Sequence, residues 1–404
     1  MRICIIGGGA SGMAAALAAA ENPNAQVILL ERQARLGRKL LATGNGRCNL
    51  TNTHALEDHY HGEDVSFSKA ALQAFTPEQT LAWFQSLGLY TVIEPSGKVY
   101  PYSDQANSVV DILRLNLERE NIEVKTGFEV QKIQKTETGF AVSGSEETLE
   151  CHKLIVACGG LAGSKLGGSM AGYKLLGRLG HRSTRLRPTL VQIKSAWNGI
   201  AALKGVRANC HVQILRDGAV FAESAGEIQF TEFGVSGPVI FEISRDVCAG
   251  KGNWTCRMDF LPHMLGEDLE EELNCRRKTN LPMDELLTGI LHNRLGRVLT
   301  KAAGIKGKQF VKEISNAELA EVIAAVKSFE IGLTEPMGMD SAQVTAGGVI
   351  TDGFDPATME SRLVPGLYAC GEVLDVDGDC GGYNLQWAWS SGRCAGLHAG
   401  KDAT

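Results

Sequence analysis

Residues 7–12 could hold the phosphates of a dinucleotide. They read GGGASG, match G-x-G-x-x-G, and lie between a short apolar run and an alanine-rich stretch. In this motif Gly7 permits a tight turn, Gly9 lets the backbone approach a pyrophosphate, and Gly12 packs a helix against a strand. Glu31 ends the next apolar run, where a carboxylate accepts hydrogen bonds from both ribose hydroxyls. The amides and positive end of the helix bind phosphate, so this stretch predicts a dinucleotide site.

Residues 35–52 combine positive charge with glycine. They read RLGRKLLATGNGRCNLTN, in which Arg38, Lys39 and Arg47 alternate with glycines. Such cations can neutralise a pyrophosphate or an anionic substrate, and the glycines let the backbone wrap around it. Cys48 lies beside these cations, which predicts a lowered thiol pKa and makes it a candidate proton donor or nucleophile. A small packed residue is the alternative for a single cysteine.

Residues 374–389, LDVDGDCGGYNLQWAW, fit either a calcium loop or the floor of a cofactor pocket. If Asp375 is position one of an EF-hand loop, position six is Cys380 instead of glycine and position twelve is Gln386 instead of glutamate. The calcium interpretation therefore fails. A polar loop that caps a helix beginning near Asn384 remains, with the helix dipole directed at an electron-accepting ring. The tryptophans of this run are predicted to pack in the core, and the aspartates keep a role on the substrate side as an open possibility.

Other features exclude several classes of protein. His54, His59 and His61 match no metal-ligand spacing and are interpreted as part of a hydrated polar loop, so no metal site is predicted. The 11 cysteines include no C-x-x-C pair, which argues against zinc and disulfides and favours a reducing cytoplasm. No apolar run approaches the roughly 18 residues of a membrane span. We therefore expect a cytoplasmic protein without a membrane segment.

One basic segment stands out in a chain whose net charge is −6. The first three of its cations share a helical face, and such a segment is either solvated surface or a contact for RNA phosphates. Its residues are Arg294, Arg297, Lys301, Lys306, Lys308 and Lys312.

The elements that must position these residues follow a βαβ order at the start of the chain. A helix is predicted to begin at Thr76 with proline at its first position, and residues 122–150 suggest a small antiparallel sheet. Residues 190–260 read as short strands between glycine turns, after which helical segments extend to about residue 330. The chain is therefore predicted to contain one α/β domain, split in sequence by a β-plus-helix insertion.

Two further strands distinguish between possible dinucleotides. The runs LIVACGG (154–160) and GLYACGEV (366–373) are apolar and end in small residues, which suits close packing against a long ligand. Glu372 could bond a polyol chain. Together with the glycine motif and the helix near Asn384, these runs predict FAD.

These residues carry a family resemblance over the whole chain. RLGRKLLATGNGRCNLTN, FTEFGVSGPVIFEIS, TAGGVITDGFDPATMESRLVPGLYACGEVLDV and GGYNLQWAWSSG resemble the YhiN/BaiN-like flavoproteins. The resemblance implies a glutathione-reductase-type Rossmann FAD domain, at 1–187 and 338–404, interrupted by a β-barrel and helical substrate domain at 188–337. Its members include a ribosomal RNA dihydrouridine synthase, an aminoacetone oxidase and proteins of bile-acid dehydroxylation. Family membership therefore predicts the cofactor better than the substrate.

The motifs and the resemblance together predict which residues contact non-covalent FAD. They are Gly7, Gly9, Ala10, Ser11, Gly12, Glu31, Arg32, Arg38, Lys39, Thr43, Gly44, Val130, Ala157, Cys158, Gly159, Gly371, Glu372, Gly381, Gly382, Tyr383, Asn384 and Leu385. The substrate is expected between the FAD domain and the insertion.

The favoured function is a reductase that passes hydride from flavin N5 to an electron-poor C=C bond, in ribosomal RNA uridine or an enone ring. Cys48 and Tyr383 are the candidate acids. NADH or NADPH is a possible transient donor, because the chain has no second G-x-G-x-x-G. The alternatives are an oxidase of a small amine such as aminoacetone, which releases peroxide, and a flavin-loaded RNA-binding protein without turnover.

Overall fold

The computed structural model describes residues 1–120, 122–250, 252–305 and 307–401. The chain divides into two compact units, the first containing Met1–Arg187 and the chain from Ala342 onward, the second containing Pro188–Ser341. No helix in the described part of the chain is long and apolar enough to cross a membrane.

The strands are β1 Arg2–Ile6, β2 Gln26–Glu31, β3 Thr51–Asn52, β4 Tyr60–His61, β5 Thr91–Ile93, β6 Lys98–Pro101, β7 Glu123–Thr126, β8 Lys132–Lys135, β9 Phe140–Ser143, β10 Thr148–Cys151, β11 Lys153–Val156, β12 Arg187–Thr189, β13 Ile193–Ser195, β14 Arg207–Arg216, β15 Ala219–Phe230, β16 Gly234–Ser236, β17 Trp254–Asp259, β18 Phe329–Pro336, β19 Val344–Ala346, β20 Leu367–Ala369 and β21 Asp377–Gly378. The α-helices are α1 Ala10–Ala19, α2 Phe67–Ala74, α3 Pro77–Ser86, α4 Ala106–Arg119, α5 Ala171–Arg178, α6 Pro238–Ala249, α7 Gly266–Arg277, α8 Asn293–Ala302, α9 Asn316–Lys327 and α10 Tyr383–Gly400.

The first unit is built on a parallel sheet with strand order β20-β11-β1-β2-β7. The central strands are buried apolar runs, as expected when both faces of a parallel sheet are covered. The carboxyl ends of β1, β11 and β20 lie at one edge, where ligands of open α/β sheets bind. This edge carries the glycine motif.

Helix α10 packs against α1 without intervening side chains. A Cβ built on Gly392 would lie 2.4 Å from the Ser11 carbonyl oxygen, and one on Gly396 would lie 2.2 Å from that of Ala15. Such distances are below any real Cβ contact, so glycine is required for the two backbones to touch. The contacts advance in the same direction along both helices, so α1 and α10 run parallel.

The second unit contains a closed antiparallel barrel with strand order β13-β16-β15-β14-β17-β18. Its strands alternate buried and more exposed positions, as in β18, and the inward residues form a separate core with residues of α6, α7, α8 and α9. The predicted Rossmann-type α/β fold with a barrel and helical insertion is confirmed.

Local predictions from turn and cap residues are confirmed. Thr76 caps α3 in a capping box with Gln79, and Pro77 occupies the first helical position.

Two local predictions are wrong in part. Residues 238–249 form helix α6 within the segment expected to be strands, because Pro238 follows a glycine and starts a helix. Strand β7 joins the parallel sheet beside β2, so the antiparallel sheet contains β8, β9 and β10.

Candidate functional site

The glycine turn between β1 and α1 has the shape that a pyrophosphate needs. Gly7 has φ of +113°, and a Cβ there would lie 2.3 Å from the Ala157 carbonyl oxygen. A Cβ on Gly12 would lie 1.8 Å from the Gly7 carbonyl oxygen, so these two glycines are needed for the chain to close. A Cβ on Gly9 would meet nothing within 4 Å. Gly9 therefore leaves an open face at the amino end of α1, which fits a phosphate group.

Glu31 is fixed at the end of β2 by backbone amides. Its Oε2 accepts a hydrogen bond from the Gly8 N–H at 2.7 Å, and its Oε1 accepts one from the Gln33 N–H at 2.7 Å. Because each carboxylate oxygen has two lone pairs, both keep a position for a ribose hydroxyl. The neighbouring Arg32 donates from Nη2 to the Gly167 carbonyl oxygen at 2.7 Å. Glu31 thus lies at the carboxyl end of β2, and its contact with a ribose stays a prediction.

Lys39 and Glu372 form an ion pair at the same edge of the sheet. Lys39 Nζ lies 2.7 Å from Glu372 Oε2, and Glu372 Oε1 accepts the Thr345 N–H at 2.8 Å. Glu372 also lies against the turn after β11, since a Cβ on Gly160 would be 2.4 Å from Oε1. Sequence reasoning predicted both residues as ligand contacts but missed their pairing. The pair places one ammonium group and one carboxylate side by side at the carboxyl edge of the sheet.

Arg47 is held by acidic neighbours. Its Nε lies 2.5 Å from Asp104 Oδ1 and its Nη2 lies 3.1 Å from Glu94 Oε1, while its guanidinium lies 3.9 Å from the centre of the Tyr100 ring. The positive charge of Arg47 is therefore compensated, and it anchors the segment that follows β2. Arg38, by contrast, is exposed and donates to Gln33 Oε1 at 2.8 Å.

Cys48 is fully buried and not a thiolate. Burial raises the pKa of its thiol to about 12, and a hydrogen bond with Thr43 only partly offsets this. The expectation of a lowered pKa is wrong because Arg47 points its charge at carboxylates and no water reaches the sulfur. The backbone at Cys48 has φ of +62°, a left-handed conformation that Gly44 and Asn45 in the same segment also adopt.

The loop before α10 packs closely against the segment around β3. A Cβ on Gly382, where φ is +106°, would lie 2.5 Å from the Thr51 carbonyl oxygen. Asn52 Nδ2 donates to the Gly381 carbonyl oxygen at 3.1 Å. Asn384 bonds both the N–H and the carbonyl of Gly378, at 2.9 and 2.7 Å. These contacts fix the amino end of α10, where the first N–H groups of a helix have no partner within the helix itself.

The amino ends of α1 and α10 are offset along one direction. Ser11 lies beside Gly392, which is eight residues after Asn384. At 1.5 Å per residue, the first turn of α10 lies about 12 Å beyond the start of α1. One site along the sheet edge could therefore take phosphates at α1 and a flat ring at α10.

The tryptophans of α10 belong to the core, as predicted. Trp387 donates from Nε1 to the Gly371 carbonyl oxygen at 3.2 Å, and Trp389 donates to that of Leu50 at 2.9 Å. Both rings are buried. They attach α10 to the turn after β20 and to the segment before β3.

The structure joins two features that the sequence left apart. His59 Nδ1 lies 3.0 Å from Asp379 Oδ2, and His61 Nε2 lies 2.7 Å from Asp379 Oδ1. The ring of His59 is stacked on that of Tyr383, with centroids 4.3 Å apart. Burial disfavours the charged form of Asp379, but the hydrogen bonds with His61 and His59 outweigh it, so the pKa of this carboxyl is lowered. No signal in the sequence points to this cluster, because β4 and β21 are two residues long and about 320 residues apart.

The remaining predicted FAD contacts lie in the first unit. Val130 and Ala157 are buried, Cys158 Sγ lies 3.6 Å from the Ile6 carbonyl oxygen, and Gly159 has φ of +67° with open space at its Cβ position. Thr43 Oγ1 donates to the Leu40 carbonyl oxygen at 2.7 Å. Among the described residues, no group of three or more His, Cys, Asp or Glu could hold a metal ion.

A separate open cavity of about 620 Å³ lies at the opposite edge of the parallel sheet. It is lined by residues at the amino ends of strands, including Arg2, Gln26 and Glu123. Ligands of such sheets bind at the carboxyl ends, so this cavity is distinct from the site.

The residues at the carboxyl edge fit FAD: an open face at Gly9, a fixed carboxylate at Glu31, the Lys39–Glu372 pair, and a second helix start about 12 Å away. This fold and site define an FAD-dependent oxidoreductase. The chain belongs to the family described as HI0933-like protein Rossmann domain, which matches residues 1–398.

Curated relatives match the chain over almost its whole length. It is 41% identical to the 3-dehydro-bile acid delta(4,6)-reductase of Clostridium scindens, over 98% of either chain. It is 34% identical to the ribosomal RNA dihydrouridine synthase of Escherichia coli K12, over 96% of this chain and 95% of the relative. Among solved structures, the open conformation of a flavocytochrome c3 fumarate reductase matches 99% of this chain and 78% of that chain, with 16% identity and a TM-score of 0.49.

Proposed function

We propose that this protein reduces a C=C bond conjugated to a carbonyl group in a small molecule. The observation that carries the proposal is the 41% identity, over nearly the full length, to a relative named as a bile-acid double-bond reductase. A second relative is named for making dihydrouridine, which requires the same addition of hydride and proton across an electron-poor C=C bond. The shared chemistry of the two relatives supports the reaction class more strongly than either substrate.

Each part of the site has a role in this reaction. Gly9 and the start of α1 would receive the pyrophosphate, and Glu31 the adenosine ribose. Glu372 and Lys39 would bind the polyol chain and a phosphate oxygen. When bound, reduced FAD supplies a hydride from N5. The first-turn amides of α10 would stabilise negative charge that develops next to them.

NADH or NADPH is the proposed donor of electrons. The chain has no second G-x-G-x-x-G for a resident nicotinamide site, so the donor would bind transiently. Anaerobic mixing with each donor, followed by the loss of flavin absorbance, identifies it.

Ribosomal RNA is the second candidate substrate, favoured by the relative of Escherichia coli. Arg294, Arg297 and Lys301 are exposed on α8, but Arg297 Nη2 lies 2.6 Å from Glu285 Oε1 and Arg294 Nη1 donates to the Lys204 carbonyl oxygen. Lys308 and Lys312 also have partners, Glu313 and Asn280, and Lys306 lies outside the described residues. Hydrogen bonds to carbonyl and amide oxygens leave the positive charges of Arg294 and Lys312 in place, so the preference for a small molecule rests on the higher identity to the bile-acid reductase.

The proposal is tested with enzyme photoreduced without oxygen and mixed with a 3-oxo-4-ene bile acid, ribosomal RNA, or buffer. We expect the bile acid to reoxidise the flavin at least as fast as RNA does, and its product to gain two hydrogens. Reoxidation by RNA alone would replace the small molecule by RNA as substrate. Peroxide release from aminoacetone in air, with no reaction of either C=C compound, would show an oxidase and overturn the proposal. A flavin that no donor reduces, in a chain that binds RNA, would indicate the non-catalytic alternative.

A further inference from the structure

One carboxylate holds two histidines next to the amino end of α10. The antiparallel pairing of β4 with β21 brings His59 and His61 to Asp379, and the Asp379 N–H donates to the His59 carbonyl oxygen at 3.0 Å. Both imidazoles bond the carboxylate, His59 through Nδ1 and His61 through Nε2. This cluster is part of neither the phosphate contacts nor the α1–α10 packing.

The hydrogen bonds determine the tautomer of each ring. An ionised carboxylate only accepts hydrogen bonds, so both bonded ring nitrogens must carry hydrogen. Neutral His59 is therefore the Nδ1–H tautomer, and neutral His61 is the Nε2–H tautomer. The Nε2 of His59 is left on the far side of the ring, away from Asp379. That nitrogen can carry a second proton and release it without breaking the bond to Asp379.

The ring of His59 is held at a defined place. It stacks on Tyr383, the first residue of α10, at an interplanar angle of 23°. Tyr60 Oη donates to the Tyr383 carbonyl oxygen at 3.0 Å, which fixes the backbone below the ring. Titratable and charged groups near the cluster include Tyr60, Tyr383 and Asp377, and Lys98 lies along Gly381.

Exposure separates His59 from the two acids that the sequence suggested. The side chain of His59 is 36% exposed, whereas Cys48 is fully buried and Tyr383 is buried at 7%. A proton donor must reach the reacting carbon and must recover its proton from water. Among these three residues, His59 alone has the exposure that proton recovery from water requires.

We propose that His59 is the proton donor of the reductase, with Asp379 as the positioning residue that fixes its tautomer and His61 as the residue that holds Asp379. This inference rests on the proposed function. As hydride adds to one carbon of the C=C bond, the π electrons form a new C–H bond at the other carbon with the Nε2 proton of the His59 imidazolium. The N–H bonding pair stays on Nε2, which leaves the neutral Nδ1–H ring. The two electrons come from the reductant named above, and solvent at the exposed side of His59 replaces the proton.

The tautomers are tested by NMR on the holoenzyme with 15N-labelled histidine, independent of turnover. The signals of His59 and His61 are identified by their loss in His59→Gln and His61→Gln. We expect neutral His59 to be protonated at Nδ1 and neutral His61 at Nε2, and Asp379→Asn to change both. His59 protonated at Nε2 would overturn the inference.

The donor role is tested in single turnovers of reduced enzyme with an enone. We expect His59→Gln to slow enone reduction at least about 100-fold, the lower range for loss of a general acid, while FAD binding and flavin reduction stay unchanged. Asp379→Asn is expected to slow the same step and to alter its pH profile, which a purely structural role would not do. His54→Gln, an exposed histidine of the same segment, is the matched control.

The two proposals fail in different ways. If no enone reoxidises the wild-type enzyme, the proposed function fails, whatever the NMR result. If enones react and His59→Gln keeps the wild-type rate, the proposed function stands and His59 is not the donor. In that case, loss of activity in Tyr383→Phe would assign the proton to the phenol instead.

Discussion

Lys39 Nζ lies 2.7 Å from Glu372 Oε2, although 333 residues separate them in the sequence. The pair joins the segment after β2 to the turn after β20. It is mostly shielded from solvent, with exposed fractions of 31% and 19%. The pair therefore fixes these two segments to each other at the carboxyl edge of the sheet.

Replacing Glu372 by glutamine tests the role of this pair in FAD binding. The change leaves Lys39 half-buried without its counter-charge and weakens the acceptor offered to a hydroxyl. Hydrogen bonds to charged groups contribute about 1.5–3 kcal/mol, so we expect FAD affinity to fall about 10- to 100-fold. Fluorescence titration of apoprotein with FAD measures it. Glu118→Gln, which alters an exposed ion pair on α4, is the control, and equal affinity in both variants would exclude Glu372 as a FAD contact.

Gly9→Ala separates folding from cofactor binding. Gly9 has an extended backbone that any residue adopts, and its Cβ position is open, so the apoprotein should unfold at an unchanged temperature. With FAD bound, the methyl group would meet the pyrophosphate. Overpacking costs about 1–3 kcal/mol, which predicts a loss of affinity of about 5- to 140-fold.

Gly392→Ala is a control variant that should change the stability of the apoprotein. Its methyl group would lie 2.4 Å from the Ser11 carbonyl oxygen, so the apoprotein itself should lose stability. If Gly9→Ala destabilises the apoprotein as much as Gly392→Ala does, the open face at Gly9 is contradicted.

Cys48→Ala is expected to leave enone reduction nearly unchanged. The thiol is fully buried and burial raises its pKa to about 12, so it is uncharged at neutral pH and cannot reach a substrate. Iodoacetamide at about pH 8 should therefore spare Cys48 in the native protein while it labels the exposed Cys275. Rapid native-state labelling of Cys48, or a large loss of turnover in the alanine variant, would restore it as a candidate acid.

The lowered pKa of Asp379 makes the stability of the fold depend on pH. Its pKa is lower in the folded chain than in the unfolded chain, because the bonds with His61 and His59 outweigh burial. The carboxylate therefore stabilises the fold above its unfolded pKa of about 3.9, and this contribution is lost as pH falls through the folded value. We expect Asp379→Asn to be less stable than wild type at about pH 7, with the difference shrinking as the pH falls below about 3.9. Urea unfolding across this range checks it, with Asp111→Asn as the exposed control, and a constant difference at every pH would contradict the assignment.

The parts of the site that local sequence determines could be predicted. Gly7, Gly9 and Gly12 each satisfy a requirement of one turn, and the glycine pair before Asn384 marks the start of α10. The confirmed cap of α3 at Thr76 has the same origin. Such features depend on backbone conformation and on neighbours within a few residues, so their residue types are informative on their own.

Features that depend on tertiary packing could not be predicted. Arg47 and Cys48 are adjacent in sequence, yet the charge of Arg47 is directed at Asp104 and Glu94 and the thiol is enclosed. The pairing of Asp379 with His59 and His61 depends on two-residue strands that have no periodicity to detect. In both cases the chemistry follows from which distant side chains meet, and spacing along the chain carries no information about that.

The central claim is that the reduced enzyme adds hydride and a proton to a conjugated C=C bond. The most direct measurement is an anaerobic single turnover of stoichiometrically reduced enzyme with a 3-oxo-4-ene bile acid, analysed for flavin oxidation and product mass together. We predict one saturated product, two hydrogens heavier, for each flavin oxidised. Flavin that stays reduced with this compound and with ribosomal RNA, but is reoxidised on admitting air, would contradict the account.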